Sequence, residues 1–338
     1  MSTRFAVPES AEATAPPEWR GFERDDVRLL VATRSGRHLT RFRDLPAWLA
    51  PGDLLVVNTS ATLPAAVDGQ YRDGTLPVHV ALELDNGDWV VELREPDGTG
   101  WRSGVAPGEH VRLPGEVLLK LIVPYPDADA AESRLWRATT APAVSRTEYL
   151  RSYGRPITYG YMGGAFPLAA YQTVYATEPG SAEMPSAGRP FTAELLVRLM
   201  ARGVIVAPVV LHAGVSSPEV HEPPTPEPFI VPDATARLVA LARASGRRVI
   251  AVGTTVVRAL ESAGHERGTS GWTDLVLGPD RPARVVSGLI TGLHDPQASH
   301  LSLLDAVAGK ELVDAAYADA VEHRLLWHEF GDSMVLLP

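Results

Sequence analysis

Four short polar segments hold the residues whose types and spacing suit chemistry. The first is Gly253-Thr254-Thr255-Val256-Val257-Arg258-Ala259-Leu260-Glu261-Ser262, which follows directly on an apolar run. Free backbone N–H groups at a helix start, with two hydroxyls beside them, suit a carboxylate or a phosphate. Arg258, one turn further on, can clamp the same anion or pair with Glu261 at i+3. The second segment runs from Tyr171 through Gln172, Thr173, Tyr175 and Glu178 to Gly180, then on to Pro185, Ser186, Gly188 and Phe191. So dense a polar and aromatic series ahead of a helix suits a ligand-binding loop or a β edge with turn residues. The third is Leu211-His212-Ala213-Gly214, whose histidine is either catalytic or a satisfied residue at a strand end. The fourth joins Trp272-Thr273-Asp274 to His294-Asp295-Pro296.

Several chemistries are excluded. The chain has no GxxxxGK[ST] loop, no GxGxxG after a strand, no HExxH and no GxSxG. Its ten histidines are scattered without ligand spacing, and His323 and His328, five apart, fall on different helix faces, so no metal site is expected. Cysteine is absent, which removes disulfides, thiolate catalysis, iron–sulfur clusters and Cys-type zinc sites.

These segments must be positioned by larger elements. Asp53–Asn58 (DLLVVN) follows Pro51-Gly52 and reads as a buried strand. Beyond Pro64, short apolar runs at Val78–Leu84, Trp89–Leu93, His110–Leu113, Val117–Val123 and Leu135–Thr140 are separated by turn pairs such as Asn86-Gly87, Asp97-Gly98 and Pro107-Gly108. That texture predicts a small all-β barrel or sandwich at 65–150, with no helix inside it. After the Gly-rich stretch Tyr153–Phe166 the pattern alternates. Helices are expected at Ala193–Arg202 (capped by Thr192), at Ala234–Ser245 (capped by Asp233) and after Thr255, with strands at Val204–Leu211 and Arg248–Val252. Leu301–His328 reads as one or two helices, and Ser333–Leu337 as a last strand. The expectation is an α/β fold: a mostly parallel-sheet catalytic domain from 1–64 and 151–338, with the β-barrel domain 65–150 inserted in it. Five prolines (Pro218, Pro223, Pro224, Pro226 and Pro228) make the stretch 216–228 a loop and no central strand.

Composition agrees with an ordinary globular chain. It has 338 residues, 45% hydrophobic and 21% charged, enough for about two domains. No apolar run is long enough to span a membrane, and the N-terminus lacks the apolar middle of a signal peptide, so a cytoplasmic protein is expected. The net charge of −10 argues against a general nucleic-acid binder. Arginines do gather near the start (Arg20, Arg24, Arg28, Arg34, Arg37, Arg41, Arg43), but Glu23, Asp25, Asp26 and Asp44 are interleaved with them. A solvated surface fits that mixture better than an RNA track.

Taken in order, the segments resemble the S-adenosylmethionine:tRNA ribosyltransferase-isomerases of queuosine synthesis. Phe42-Arg43-Asp44-Leu45-Pro46 and Pro51–Asn58 are similar to that family's opening. YQTVYATEPG (171–180), LHAG (211–214), RRVIAVGTTVVRALES (247–262), GWTDL (271–275) and Gly331-Asp332-Ser333-Met334 follow its pattern, so that the resemblance spans most of 25–338. It departs in places. PSAGRPF (185–191) stands where the family has PTAGLHF, putting Pro190 in place of a histidine. TGLHDPQASHLSLL (291–304) stands for TNFHLPxSTLLML, and TSATLPAA (59–66) lacks the two arginines of TRVIPAR.

The resemblance implies an α/β catalytic domain with an inserted β-barrel. It also implies a reaction in which the ribosyl part of S-adenosylmethionine passes to the aminomethyl group of a 7-deazaguanine base in tRNA. The sugar isomerises to an epoxycyclopentane, adenine and methionine leave, and no metal or redox cofactor takes part. Such a reaction needs a base for the proton beside the sulfonium and an acid for adenine. His212, then Glu178, are the candidates for the base. Thr254, Thr255 and Arg258 are candidates for the methionine carboxylate, and Tyr171, Tyr175 and Trp272 for the sulfonium or a splayed base. Gln172, Thr173, Ser186, Gly188, Gly214 and His294 complete the expected substrate-binding set. With arginines and a histidine missing from the pattern, a small-molecule acceptor in place of tRNA is the alternative.

Overall fold

The strand Leu54–Asn58 (β3) shows how the sequence builds the larger layer. Leu54 and Val56 join one core cluster and Leu55 and Val57 another, so alternate residues feed opposite faces of the sheet. All five of its residues are buried, as expected of a strand covered on both sides. The computed structural model describes residues 5–215, 223–264 and 267–338.

Chain order gives β1 (Arg28–Thr33), β2 (Gly36–Arg41), β3, β4 (Ser60–Thr62) and the barrel strands β5 (Ala66–Tyr71), β6 (Gly74–Glu83), β7 (Trp89–Leu93), β8 (His110–Leu113), β9 (Val117–Tyr125) and β10 (Leu135–Ala141). Helix α1 (Arg146–Tyr153) leads back to β11 (Glu178–Ser181), α2 (Ala193–Ala201), β12 (Ile205–Leu211), β13 (Glu227–Val231), α3 (Asp233–Ala244), β14 (Val249–Val252) and α4 (Thr254–Ala263). The last elements are β15 (Thr269–Thr273), β16 (Gly288–Thr291), α5 (His300–Ala308), α6 (Lys310–Glu322) and β17 (Ser333–Leu337).

A closed barrel, β10-β7-β6-β5-β8-β9, stands beside a nine-stranded sheet of order β15-β13-β12-β3-β14-β16-β17-β1-β2. The sheet is mixed, which corrects the mostly parallel expectation. Parallel pairing joins β12 to β3, β3 to β14, β14 to β16 and β17 to β1; the other neighbours run antiparallel. Of the antiparallel neighbours, β1 and β2 are joined by a short turn, whereas β13 and β15 are separated along the chain by α3, β14 and α4. Helix α1 begins at Arg146, inside the span read as all β. Asp233 is the first residue of α3, and Pro232 occupies the position before it. Thr192 caps α2 as expected, its side chain accepting from Leu195 N at 3.1 Å. Of the proline-rich stretch, 216–222 lie outside the described residues, and Glu227 and Pro228 belong to β13. No helix among the described residues is long and apolar enough to cross a membrane.

Two groups lock the barrel against the sheet. Trp272 of β15 donates its indole N–H to Asp85 in the β6–β7 turn at 3.1 Å. Arg146 is buried and donates to the carbonyls of Val80 and Ala81 in the barrel and of Gly180 beyond it, at 2.9, 2.8 and 2.9 Å. Burial lowers its pKa to about 10, which leaves it charged at neutral pH. Arg146→Met strands three buried acceptors, and urea titration is expected to show a loss of about 3 kcal/mol or more. A loss under about 1 kcal/mol would mean that water replaces the guanidinium without cost.

Candidate active site

The strands β12, β3, β14 and β16 lie side by side and parallel, so their carboxyl ends Leu211, Asn58, Val252 and Thr291 come out along one edge. Open α/β sheets bind ligands outside such an edge. Asn58 ties it together. Its Oδ1 accepts from Leu211 N at 3.0 Å and Ser60 N at 3.1 Å, and its Nδ2 donates to Leu211 O at 2.8 Å and Thr255 Oγ1 at 3.3 Å. Gly253 turns the chain from β14 into α4 with a left-handed φ of +91°, its N–H bonded to Ile290 O at 2.8 Å.

Two cavities meet at the first turn of α4. The first, about 120 Å³, is walled by Leu275, Leu277 and Leu303 with Arg134, Glu227 and Arg258. The second, about 220 Å³, is walled by Glu183, Ser186, Thr291, His294, His328 and Glu329. Ala213, Thr254, Thr255, Ala298 and His300 line both.

Arg258 is fully committed. It is ion-paired with Glu227 and donates to Thr273 O at 2.8 Å, Thr225 O at 3.1 Å and Leu275 O at 3.3 Å. It therefore braces the wall of the first cavity, and Thr254 and Thr255 line both cavities without it. Nor does it pair with Glu261, whose carboxylate accepts the N–H groups of Arg284, Val285 and Val286. Glu227 also accepts from Gly214 N at 2.8 Å, which fixes the loop after β12. Burial raises its pKa, while Arg258 and the Gly214 amide oppose that rise. From the barrel, Arg134 donates to Glu92 at 3.1 Å and to Val215 O at 3.2 Å, bringing a cation to the first cavity.

The second cavity is acidic and aromatic. Tyr159 donates to Glu183 and Tyr161 to Glu329. The rings of Tyr159 and Tyr161 stack at 5.8 Å, and His328 stacks on Tyr161 at 4.3 Å. His294, expected in the site, does line this cavity; its Nε2 meets Thr291 Oγ1 at 3.0 Å and its ring lies parallel on that of His300 at 4.5 Å. Burial holds all three depressed histidines in their neutral form. His300 is lowered to about 4 with Arg258 adding to the effect, and His212 to about 4 with Arg146 adding. His294 is lowered well below its ordinary value, by burial first and then by His300 and His328.

The structure divides the other expected residues. Ser186 and Gly214 line the cavities with Thr254 and Thr255. His212 does not: its Nδ1 meets Ser60 Oγ at 2.7 Å, and its ring lies against Gly180, where any side chain would collide with it. Glu178 is exposed on β11, away from both cavities. Gln172 bonds the backbone of Thr62 in both directions, and Tyr171 packs against Phe330. Thr173 and Tyr175 stand behind Gly188, where a Cβ would strike the Tyr175 hydroxyl; they back the wall that carries Ser186. Trp272 locks the barrel, as described above. Sequence reasoning missed Glu227, Glu183, His300, His328 and Glu329. Glu227 was hidden by its flanking prolines, and the others sit in segments with no spacing that signals a site.

Comparison with known proteins follows the geometry. The model of a family described as queuosine biosynthesis protein matches residues 2–336. The chain is 36% identical over 370 residues to the S-adenosylmethionine:tRNA ribosyltransferase-isomerase of Heliobacterium modesticaldum, covering 98% of each. It is 33% identical over 351 residues to the protein of that name from Thermotoga maritima, again covering 98% of each. A crystal structure of S-adenosylmethionine tRNA ribosyltransferase from Thermotoga maritima matches with a TM-score of 0.54 at 28% identity, across 98% of this chain and 99% of that one.

The neutral histidines make stability depend on pH. Their folded pKa values lie below the unfolded value near 6.5, so the unfolded chain takes up protons first as pH falls. Their contribution is complete above about 6.5 and is lost progressively down to about 4. The melting temperature should fall across that window, and His294→Gln should flatten the fall. An unchanged slope in that variant would show that His294 does not carry it.

Proposed function

This chain belongs to the queuosine biosynthesis protein family, and on that premise we propose that it transfers and isomerises the ribosyl group of S-adenosylmethionine onto 7-aminomethyl-7-deazaguanine in tRNA. It works as a cytoplasmic enzyme, consumes S-adenosylmethionine as a substrate and uses no metal or redox cofactor. The observation that carries the reading is the meeting of two chemically unlike cavities at the α4 N-terminus.

The leucine-walled cavity suits adenine, with Glu227 and Arg134 at its polar rim. Thr254 and Thr255, at a helix N-terminus, suit the methionine carboxylate. Glu183 and Glu329 in the second cavity favour the sulfonium and the amine-bearing acceptor, both cationic. The ribosyl group then lies at the waist, between adenine and acceptor. In the balanced reaction one proton leaves the ribosyl carbon beside the sulfonium and another leaves the acceptor amine. Adenine takes up one, and the other goes to solvent. The electron pair of the broken C–S bond stays on methionine and neutralises the sulfonium.

The N-terminal arginines contribute little to holding RNA, because Arg24, Arg28, Arg37 and Arg43 are paired with Glu18, Asp332, Asp319 and Asp26. Incubation with S-adenosylmethionine and tRNA bearing the aminomethyl base, at about 50 mM salt where phosphate contacts are strong, is expected to give epoxyqueuosine on nucleoside digestion. Adenine release without that nucleoside would transfer the reading to a small-molecule acceptor. No adenine release at all would refute it.

A further inference from the structure

His300 is the single titratable residue, among those described, that lines both cavities. It is the first residue of α5, with its ring parallel to that of His294 at an interplanar angle of 4°. Their nitrogens are differently placed. His294 Nε2 is held by Thr291, whereas no hydrogen bond from a described residue reaches either nitrogen of His300. Neither nitrogen is among the buried unsatisfied atoms, and the ring lines both cavities where they meet. The stack fixes its plane and leaves its edge free.

We propose that His300 is the catalytic base that takes the proton from the carbon joining the sulfonium to the ribosyl ring. The assignment rests on the reading of the site given above, which puts the ribosyl group at the waist where His300 stands. In the step, the C–H bond breaks, the proton goes to the free imidazole nitrogen, and the electron pair remains on the carbon beside the positive sulfur. That pair then forms a double bond to the neighbouring ring carbon as the bond from that carbon to the ring oxygen breaks. The oxygen makes a carbonyl with the anomeric carbon, and the glycosidic pair leaves with adenine. Adenine takes the proton back from the imidazolium, so His300 ends the cycle unchanged. Two features keep the resting ring neutral and ready to accept: burial beside Arg258, and the positive end of α5. His294 and Thr291 are positioning residues. His212, with its Nδ1 on Ser60 and no place in either cavity, is relieved of the role. In the family pattern set out above, a leucine stands at this position and a histidine at that of Pro190, which lines a recess beside Ser186, Gly292 and His328. This chain thus carries an imidazole on a different wall of the same site.

The test uses the full chain with His300→Leu and His300→Gln, folding being checked by circular dichroism. Calorimetry with S-adenosylmethionine and adenine release with the acceptor tRNA are then measured together. The expected result is a Kd within about threefold of wild type and adenine release slowed roughly 10²–10⁴-fold, the scale of a lost general base. Adenine release within tenfold of wild type in either variant overturns the proposal. So does a Kd that weakens in step with the rate, which would make His300 a binding residue only. Nucleoside digestion separates the two readings: wild-type adenine release without a modified base removes the tRNA acceptor while the His300 result stands or falls by itself.

Discussion

The side-chain amide of Asn58 is the junction from which the rest of the site takes its geometry. One residue satisfies both backbone groups of Leu211, accepts the amide of Ser60 and reaches the hydroxyl of Thr255. It thereby sets the end of β12, the first residue of β4 and the first turn of α4 in one register. A carboxylate could not donate the two bonds, and an aliphatic residue would leave Leu211 N and O unpaired in a buried place. Three of the five residues that line the waist hang from these elements: Ala213 follows β12, and Thr254 and Thr255 open α4; Ala298 lies just before α5 and His300 opens it. Beyond β4, at Ala66, the chain enters the barrel.

The walls are held by charges that would be costly alone. Arg258 and Glu227 are both buried, and removing one partner of such a pair typically costs about 3–5 kcal/mol because the other remains without water. The pair is tolerable because the remaining donors of Arg258 reach carbonyls on β15, just after it and just before β13, and the second oxygen of Glu227 holds Gly214. A saturated network of this kind has one good geometry. Arg146 is held differently: its two terminal nitrogens reach three carbonyls, on β6 and β11, while its Nε is left without a partner.

How much of this was legible depended on how local each signal was. Trp89–Leu93 and His110–Leu113 were readable to the residue, because Gly-containing turns bracket them and β-branched or aromatic residues fill them. β13 was not, because Pro226 and Pro228 flank Glu227; the strand tolerates Pro228 because its carbonyl receives His212 N and its missing N–H removes no needed donor. β1 and β2 went unread: β1 is a short buried run, Leu29–Ala32, between Arg28 and Thr33, and β2 is mostly exposed and carries Arg37 and Arg41. Intervening helices suggested parallel strands throughout, but β13 and β15, and β16 and β17, pair antiparallel although helices lie between them, so these reversals were missed. In the site, Thr254 and Thr255 could be found because a strand running straight into a helix is a local pattern. Glu178 misled for the same reason: it lies in a dense polar segment, but it opens β11 at the exposed end, with Gly180 and Ser181 at the buried one. His300, Glu183 and Glu329 come together only through the tertiary fold, from three segments with no common spacing.

In the proposed reaction the two cavities would present different charges to a zwitterionic, sulfonium-bearing substrate. Arg134 and Arg258 reach the first, each paired with a carboxylate, whereas Glu183, Asp295 and Glu329 line the second beside His294 and His300. The α4 N-terminus adds its partial positive charge at the boundary. A cationic sulfur is driven toward the acidic side, and a carboxylate toward the helix end, so a reversed pose sets like charges against each other. In a partly buried site such repulsion amounts to several kcal/mol. The neutral state of the histidines is part of this arrangement. Imidazolium groups at His294 and His300 would cancel the acidic field that draws the sulfonium in. Their burial therefore both leaves a lone pair for proton transfer and preserves the polarity that sets the substrate's direction.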